Sequence, residues 1–182
     1  FLDRATRLKV PVTSFSALPK QAAFVKFTKD IRKLGKIQSI VSTGPCDIKS
    51  KYGGVFFYGI HQIDMVVRLL GHDITHAELN RGKTNHTATL YSANGAISTM
   101  NLINEGRPAF HLSAIGEKGR LDSVINYDDN TYLTGIRSFC KMFKTGKTDE
   151  TRESILMPVA ALEALEKSLK TGKRTKLPSI SS

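Results

Sequence analysis

Cysteine is scarce in this chain: Cys46 and Cys140 are the only two among 182 residues, and they form no CxxC pair. That spacing suggests neither a disulfide framework nor a thiolate zinc site, and two buried thiols in a reducing compartment are the expectation. Long apolar runs are also missing. None approaches the roughly 20 residues a membrane span needs, and the opening FLDRATRLKV has no apolar signal-peptide core, so a cytoplasmic protein without membrane attachment is expected. Acidic residues are outnumbered, 16 against 27 Lys and Arg, for a net charge of +11. The excess lies at the two ends: residues 1–51 hold 11 basic and 3 acidic groups and residues 137–182 hold 10 and 5, whereas the middle holds 6 and 8. These charges stand singly, as at Lys26, Lys29 and Lys33, without the interleaved aromatics of a single-strand groove, which argues against nucleic acid as a partner.

Several chemical signatures are absent as well. There is no GxGxxG after a strand, no GxxxxGK[ST] phosphate loop and no GxSxG nucleophile elbow. The glycines of GEKG, Gly116 to Gly119, read as a hairpin turn between two strands. His72 and His76 are four apart, but Ile74 and Thr75 make HDITH strand-like, so the two do not share a helical face and no metal site is expected. Composition alone leaves Ser-His-Asp chemistry open.

What is present is a clear order of elements. DRATRLKVPVTSFSAL reads as a helix end, a Pro-bounded turn and a short strand, Val12 to Phe15. KQAAFVKFTKDIRKLG spaces Phe24, Phe27, Ile31 and Leu34 for one helical face, with Gly35 as its stop. KIQSIVSTGPCD reads as a strand entering a loop. After a helix from Tyr52 to Leu70, five period-two stretches follow: ITHAELN, HTATLYS, AISTMNLI, AFHLSAIG and RLDSVI. TYLTGIRSFCKMFKTG is helical, and MPVAALEALEKSLKTGK sets Pro158 near a helix start with Glu163/Lys167 and Glu166/Lys170 as i,i+4 pairs. The expected class is α+β, an open and mostly antiparallel sheet with helices packed on one face.

The helix YGGVFFYGIHQIDMVVRLLG carries the candidate chemistry. At about 100° per residue, Phe56, Gly59, Ile60, Ile63, Val67 and Leu70 form the core stripe. Phe57, Tyr58, His61, Asp64 and Arg68 fall on the other side, and the row His61, Asp64, Arg68 runs in single-turn steps. An imidazole beside a carboxylate suits acid/base work near neutral pH, whereas a lone histidine on a polar helix face is more often merely solvated, and spacing alone does not decide between the two.

This helix resembles the Gly-Gly … Gly-x-His-x-x-Asp helix that opens the C-terminal domain of the Gfo/Idh/MocA oxidoreductases. VPVTSFSAL, GPCDIKSKYGG and the ending PVAALEALEKSLKTGKRTKLP agree in order and spacing, so the resemblance covers almost the whole chain. It implies that residues 1–18 are the tail of a dinucleotide-binding domain and residues 19–182 a substrate-binding and oligomerisation domain, a homo-oligomer forming through the open sheet face. It implies NAD or NADP in the full-length protein, none bound by this chain alone, and a sugar, polyol or related hydroxy compound as substrate. By the same resemblance His61 is the catalytic residue that contacts the substrate hydroxyl, with Tyr58 and Asp64 as substrate-binding neighbours; no cofactor-binding residue is identified. The family's catalytic lysine, in a Glu-Lys-Pro motif, has no counterpart here, and Lys118 of GEKG is no substitute. Many members carry an aspartate four residues before the histidine, and here that position is Phe57. A non-catalytic dimerisation or ligand-sensing module of the same fold is the alternative this replacement raises.

Overall fold

The computed structural model describes residues 1–106 and 108–180. After α1 (Leu2–Arg7) the chain runs through a 3₁₀ turn, Leu18–Lys20, into α2 (Ala22–Asp30) and a second 3₁₀ turn, Ile31–Leu34. Phe24, Phe27, Ile31 and Leu34 are all buried, as their spacing predicts. Gly35 ends this segment at φ 73°, a left-handed conformation that costs glycine little.

Seven strands then form one sheet: β1 (Ile37–Pro45), β2 (Ile74–Arg81), β3 (His86–Ser92), β4 (Ile97–Ile103), β5 (Phe110–Gly116), β6 (Gly119–Ile125) and β7 (Thr175–Lys176). Their order is β6-β5-β1-β4-β3-β2-β7, and only the β1/β4 pair is parallel. The five period-two stretches are therefore strands, and GEKG closes the β5/β6 hairpin with Gly116 opposite Gly119.

Alternation decides which face each strand buries. Ile40 and Ser42 of β1, Ala88 and Leu90 of β3, and Met100 and Leu102 of β4 are buried beneath α3 (Val55–Leu70) and α5 (Arg152–Thr171). The opposite face carries Val41, Thr43, Thr89, Thr99 and Asn101, all partly exposed. The helices thus cover one face, and the α+β expectation holds.

Four sequence expectations need correction. Val12 to Phe15 joins no strand, because no neighbouring backbone among the described residues offers it a ladder; Phe15 is anchored by its ring instead, against Phe139 and under Lys20. Pro158 is not near a helix start. A capping box of Thr151 and Ser154 begins α5 six residues earlier, and the burial of Met157, Ala160, Ala161 and Leu165 carries the helix past the proline's missing N–H. Cys140 is exposed on α4 (Leu133–Thr145), and only Cys46 is buried. Asp64 does not lie on a solvated helix face but is 2% exposed, because the 3₁₀ turn at Leu18 covers what α5 and the sheet leave open.

Candidate functional site

Gly53 and Gly54, both at positive φ, turn the chain into α3, and the Val55, Ile63, Met65, Val66, Val67 and Leu70 side chains hold the helix in the core. That burial fixes the rotation of α3 and so fixes where His61 points. One of its ring nitrogens, Nδ1, lies 2.7 Å from the hydroxyl of Ser16, a residue 45 positions away. The other nitrogen, Nε2, has no partner among the described residues.

Ser16 is itself held in place. Its backbone N–H donates to Asp64 Oδ2 at 2.9 Å, and the other Asp64 oxygen accepts from Arg68 Nε at 2.7 Å. Arg68 Nη2 reaches Glu150 Oε2 at 2.8 Å, and Glu150 Oε1 accepts from Lys20 at 2.7 Å. Two cations and two carboxylates thus alternate along a chain that ties the 3₁₀ turn, α3 and the approach to α5 together. Both carboxylate side chains are 3% exposed, so each charge depends on its partners rather than on water.

The expected row of His61, Asp64 and Arg68 is therefore only half formed. Arg68 bonds Asp64, whereas His61 turns to Ser16 and meets Asp64 through it. Ser16, His61 and Asp64 do converge, yet the carboxylate binds the serine backbone rather than the imidazole, which is not the relay of a hydrolase triad. Tyr58 lies edge-on to the His61 ring at 5.6 Å and is 42% exposed. Phe57 instead packs on Tyr52 and Tyr58, both at 5.1 Å between centroids.

On its other side the imidazole meets Phe110 of β5, edge to face at 6.0 Å, and Phe110 meets Tyr127 at 6.4 Å. Phe110 can lie there because β1 has a glycine beside it: a Cβ on Gly44 would sit 2.6 Å from Phe110 Cδ1. Gly44→Ala should accordingly push Phe110 against His61 and lower stability by about 1–3 kcal/mol, as urea unfolding would show.

A cavity of about 730 Å³ opens beside these groups, within the range of about 300–1,000 Å³ usual for small-molecule sites. His61, Ser16, Asp64 and Lys20 are among its polar lining residues, and Phe139 of α4 and Val159 of α5 among the apolar ones. Phe15 stacks on Phe139 at 5.2 Å and accepts Lys20 over its ring at 4.5 Å, which closes that side.

Burial sets the protonation of the site. It pushes the His61 imidazole below its ordinary value, against the pull of Asp64. It lifts the Asp64 carboxyl, opposed by Arg68 and the Ser16 N–H; burial pushes Glu150 up as well, but hydrogen bonds from Lys20, Arg68 and Ser154 outweigh it and hold that carboxyl below its ordinary value. Cys46 is pushed up to about 12 by burial and is no nucleophile at neutral pH. A depressed histidine binds fewer protons folded than unfolded, so its stabilisation is complete above pH 6.5 and is lost as pH falls through the folded value. His86 is depressed too, by burial and by Arg81 and Lys49. Urea midpoints should thus fall between pH 7.5 and pH 5.5, and His61→Gln should remove part of that dependence but not all.

The sequence alone singled out His61, Tyr58 and Asp64. It missed Ser16, Glu150 and Lys20, whose contacts span 45, 82 and 130 residues and leave no periodic trace. Among the described residues no three His, Cys, Asp or Glu groups are placed to hold a metal ion, and no helix is long and apolar enough to cross a membrane.

No protein-family model matches the chain. No curated protein matches it in sequence. Solved structures do resemble it in shape. The myo-inositol 2-dehydrogenase from Lactobacillus plantarum superposes with a TM-score of 0.81 at 15% identity, over 97% of this chain and 68% of its own. The myo-inositol dehydrogenase from Lactobacillus casei, solved with NAD(H) and myo-inositol, gives 0.79 at 12% identity over 100% of this chain and 66% of its own. The scyllo-inositol dehydrogenase from Lactobacillus casei gives 0.79 at 13% identity, over 98% and 67%. This chain has the fold that these inositol dehydrogenases share over about two-thirds of their length.

Proposed function

We propose that this chain is the substrate-binding part of an NAD(P)-dependent oxidoreductase of the Gfo/Idh/MocA type, acting on a secondary hydroxyl of a sugar, polyol or related compound. The observation that carries this reading is His61: an imidazole fixed at Nδ1 by Ser16, with Nε2 unpartnered among the described residues, lining a ligand-sized cavity. The shared fold with an enzyme solved in complex with NAD(H) and myo-inositol supports it.

In this reading Nε2 meets the oxygen of the reacting carbon and exchanges its proton, and Asp64 lines the cavity with it, whereas Tyr58 touches the His61 ring from outside the cavity lining. The nicotinamide, when bound, supplies hydride transfer. The 182 residues contain no dinucleotide fingerprint, so holding the cofactor falls to a companion domain, and residues 1–18 are its continuation into residues 19–182. The open sheet face would join two copies. On it Ile97, Ser39, Ile115 and Arg120 form one row across four strands, with Ile97 41% and Ile115 39% exposed.

Phe57 supports a second reading. An apolar ring stands where a carboxylate one turn before His61 would polarise the imidazole, which suits a non-catalytic sensing or dimerisation module. A rate assay separates the two. A polypeptide carrying this chain after a dinucleotide-binding domain should reduce NAD⁺ or NADP⁺ with at least one inositol or hexose, whereas binding of these compounds without turnover would favour the module.

A further inference from the structure

Ser16 Oγ is the group that holds His61, and its own bonding fixes where the imidazole proton sits. The oxygen lies 3.4 Å from the Leu18 N–H, a weak donor to it, and 2.7 Å from His61 Nδ1. Ser16 is 7% exposed, and among the described residues its hydroxyl proton has no acceptor other than Nδ1. A buried hydroxyl proton left without an acceptor is costly, so donation to Nδ1 is the favoured arrangement. The serine cannot swing away freely, because its N–H is tied to Asp64 Oδ2, and Asp64 is tied in turn to Arg68.

We infer that Ser16 is a positioning residue that takes over the orienting role of the carboxylate missing at Phe57, holding neutral His61 with its proton on Nε2, toward the ligand. The inference rests on the reading of His61 as the substrate-facing group. A carboxylate on Nδ1 would demand an N–H there and leave Nε2 bare as a base. A serine hydroxyl does the reverse at rest: Nε2–H meets the substrate oxygen as a donor, which suits a carbonyl or the lone pair of a hydroxyl. For Nε2 to take a proton the other tautomer is required: the Nε2 proton passes to water in the cavity, Nδ1 gains one from water, and the Ser16 hydroxyl turns so that its oxygen accepts from Nδ1–H.

The test needs no substrate or cofactor, so it stands or falls separately from the proposed activity. In the 182-residue chain labelled with ¹⁵N-histidine, long-range proton–nitrogen correlation above pH 7 should show His61 with a bare Nδ1 shifted upfield by an accepted hydrogen bond and a protonated Nε2. Ser16→Ala should move the Nδ1 resonance downfield toward that of a free acceptor, and Ser16→Thr, which keeps the hydroxyl, should restore it. A proton found on Nδ1, or an Nδ1 shift equal to that of a solvated histidine, overturns the inference from the wild-type spectrum alone, whether or not Ser16→Ala folds. An Nδ1 resonance that stays in place in a folded Ser16→Ala variant overturns it as well.

Discussion

Arg68→Leu should lower the unfolding free energy by about 3–5 kcal/mol, the usual cost of taking one partner from a buried ion pair. The arginine bonds two carboxylates that are each 3% exposed. Its loss leaves Asp64, among the described residues, with the Ser16 N–H alone, while Glu150 keeps Lys20 and Ser154. Most of the damage therefore falls on Asp64, whose carboxyl burial already lifts. The double variant Asp64→Asn/Arg68→Leu should recover much of the loss, because the stranded charge is gone. Lys141→Leu is the control: Lys141 also bonds an aspartate, Asp149, at 2.6 Å, but on the surface and away from the open sheet face, and its removal should leave the urea midpoint in place. If Arg68→Leu behaved like Lys141→Leu, the buried network would not be holding Ser16 and α3 together.

If His61 is the acid/base group, His61→Ala should lower kcat by about 10² to 10⁴, the range that a positioned acid/base contributes, in a polypeptide that joins this chain to a dinucleotide-binding domain. The substitution also removes edge-to-face contacts with Tyr58 and Phe110, each worth about 0.5–1.5 kcal/mol. Some loss of stability is therefore expected, and the thermal midpoint must be measured beside the rate. His61→Gln keeps a polar group near Nε2 and part of the ring's volume, so it should retain more stability than alanine while losing a similar share of turnover. Unchanged turnover in both variants would return His61 to a merely packed residue.

Periodicity carried much of the fold. The stripe Phe24, Phe27, Ile31 and Leu34, the core side of the His61 helix and the five strands were legible because burial repeats at 3.6 or 2 residues. The parallel pairing of β1 with β4 was not legible, since a strand's partner depends on where the intervening α3, β2 and β3 send the chain. The start of α5 was misplaced because Pro158 is a stronger local signal than the Thr151–Ser154 capping box that outweighs it. At the site, the i,i+4 bond between Asp64 and Arg68 followed from helix geometry, whereas the burial of Asp64 did not, because a turn from residues 18–20 covers it. Ser16 was invisible for a related reason. Val12 to Phe15 carries the composition of a strand, and nothing in that pattern says that the next residue reaches an imidazole on α3.

If Nε2 of His61 faces a hydroxylated ligand, a titration of the ¹⁵N-histidine-labelled chain with myo-inositol should reveal it. Metabolic enzymes meet such substrates at up to about 1 mM, so saturable shifts are expected near that concentration or somewhat above it. The His61 Nε2 signal should move with added inositol, Nδ1, shielded by Ser16, should move far less, and the His72 and His76 signals should stay in place. Inositol, scyllo-inositol and simple hexoses that all leave Nε2 unmoved, in a chain whose spectrum shows it folded, would contradict a ligand-facing Nε2.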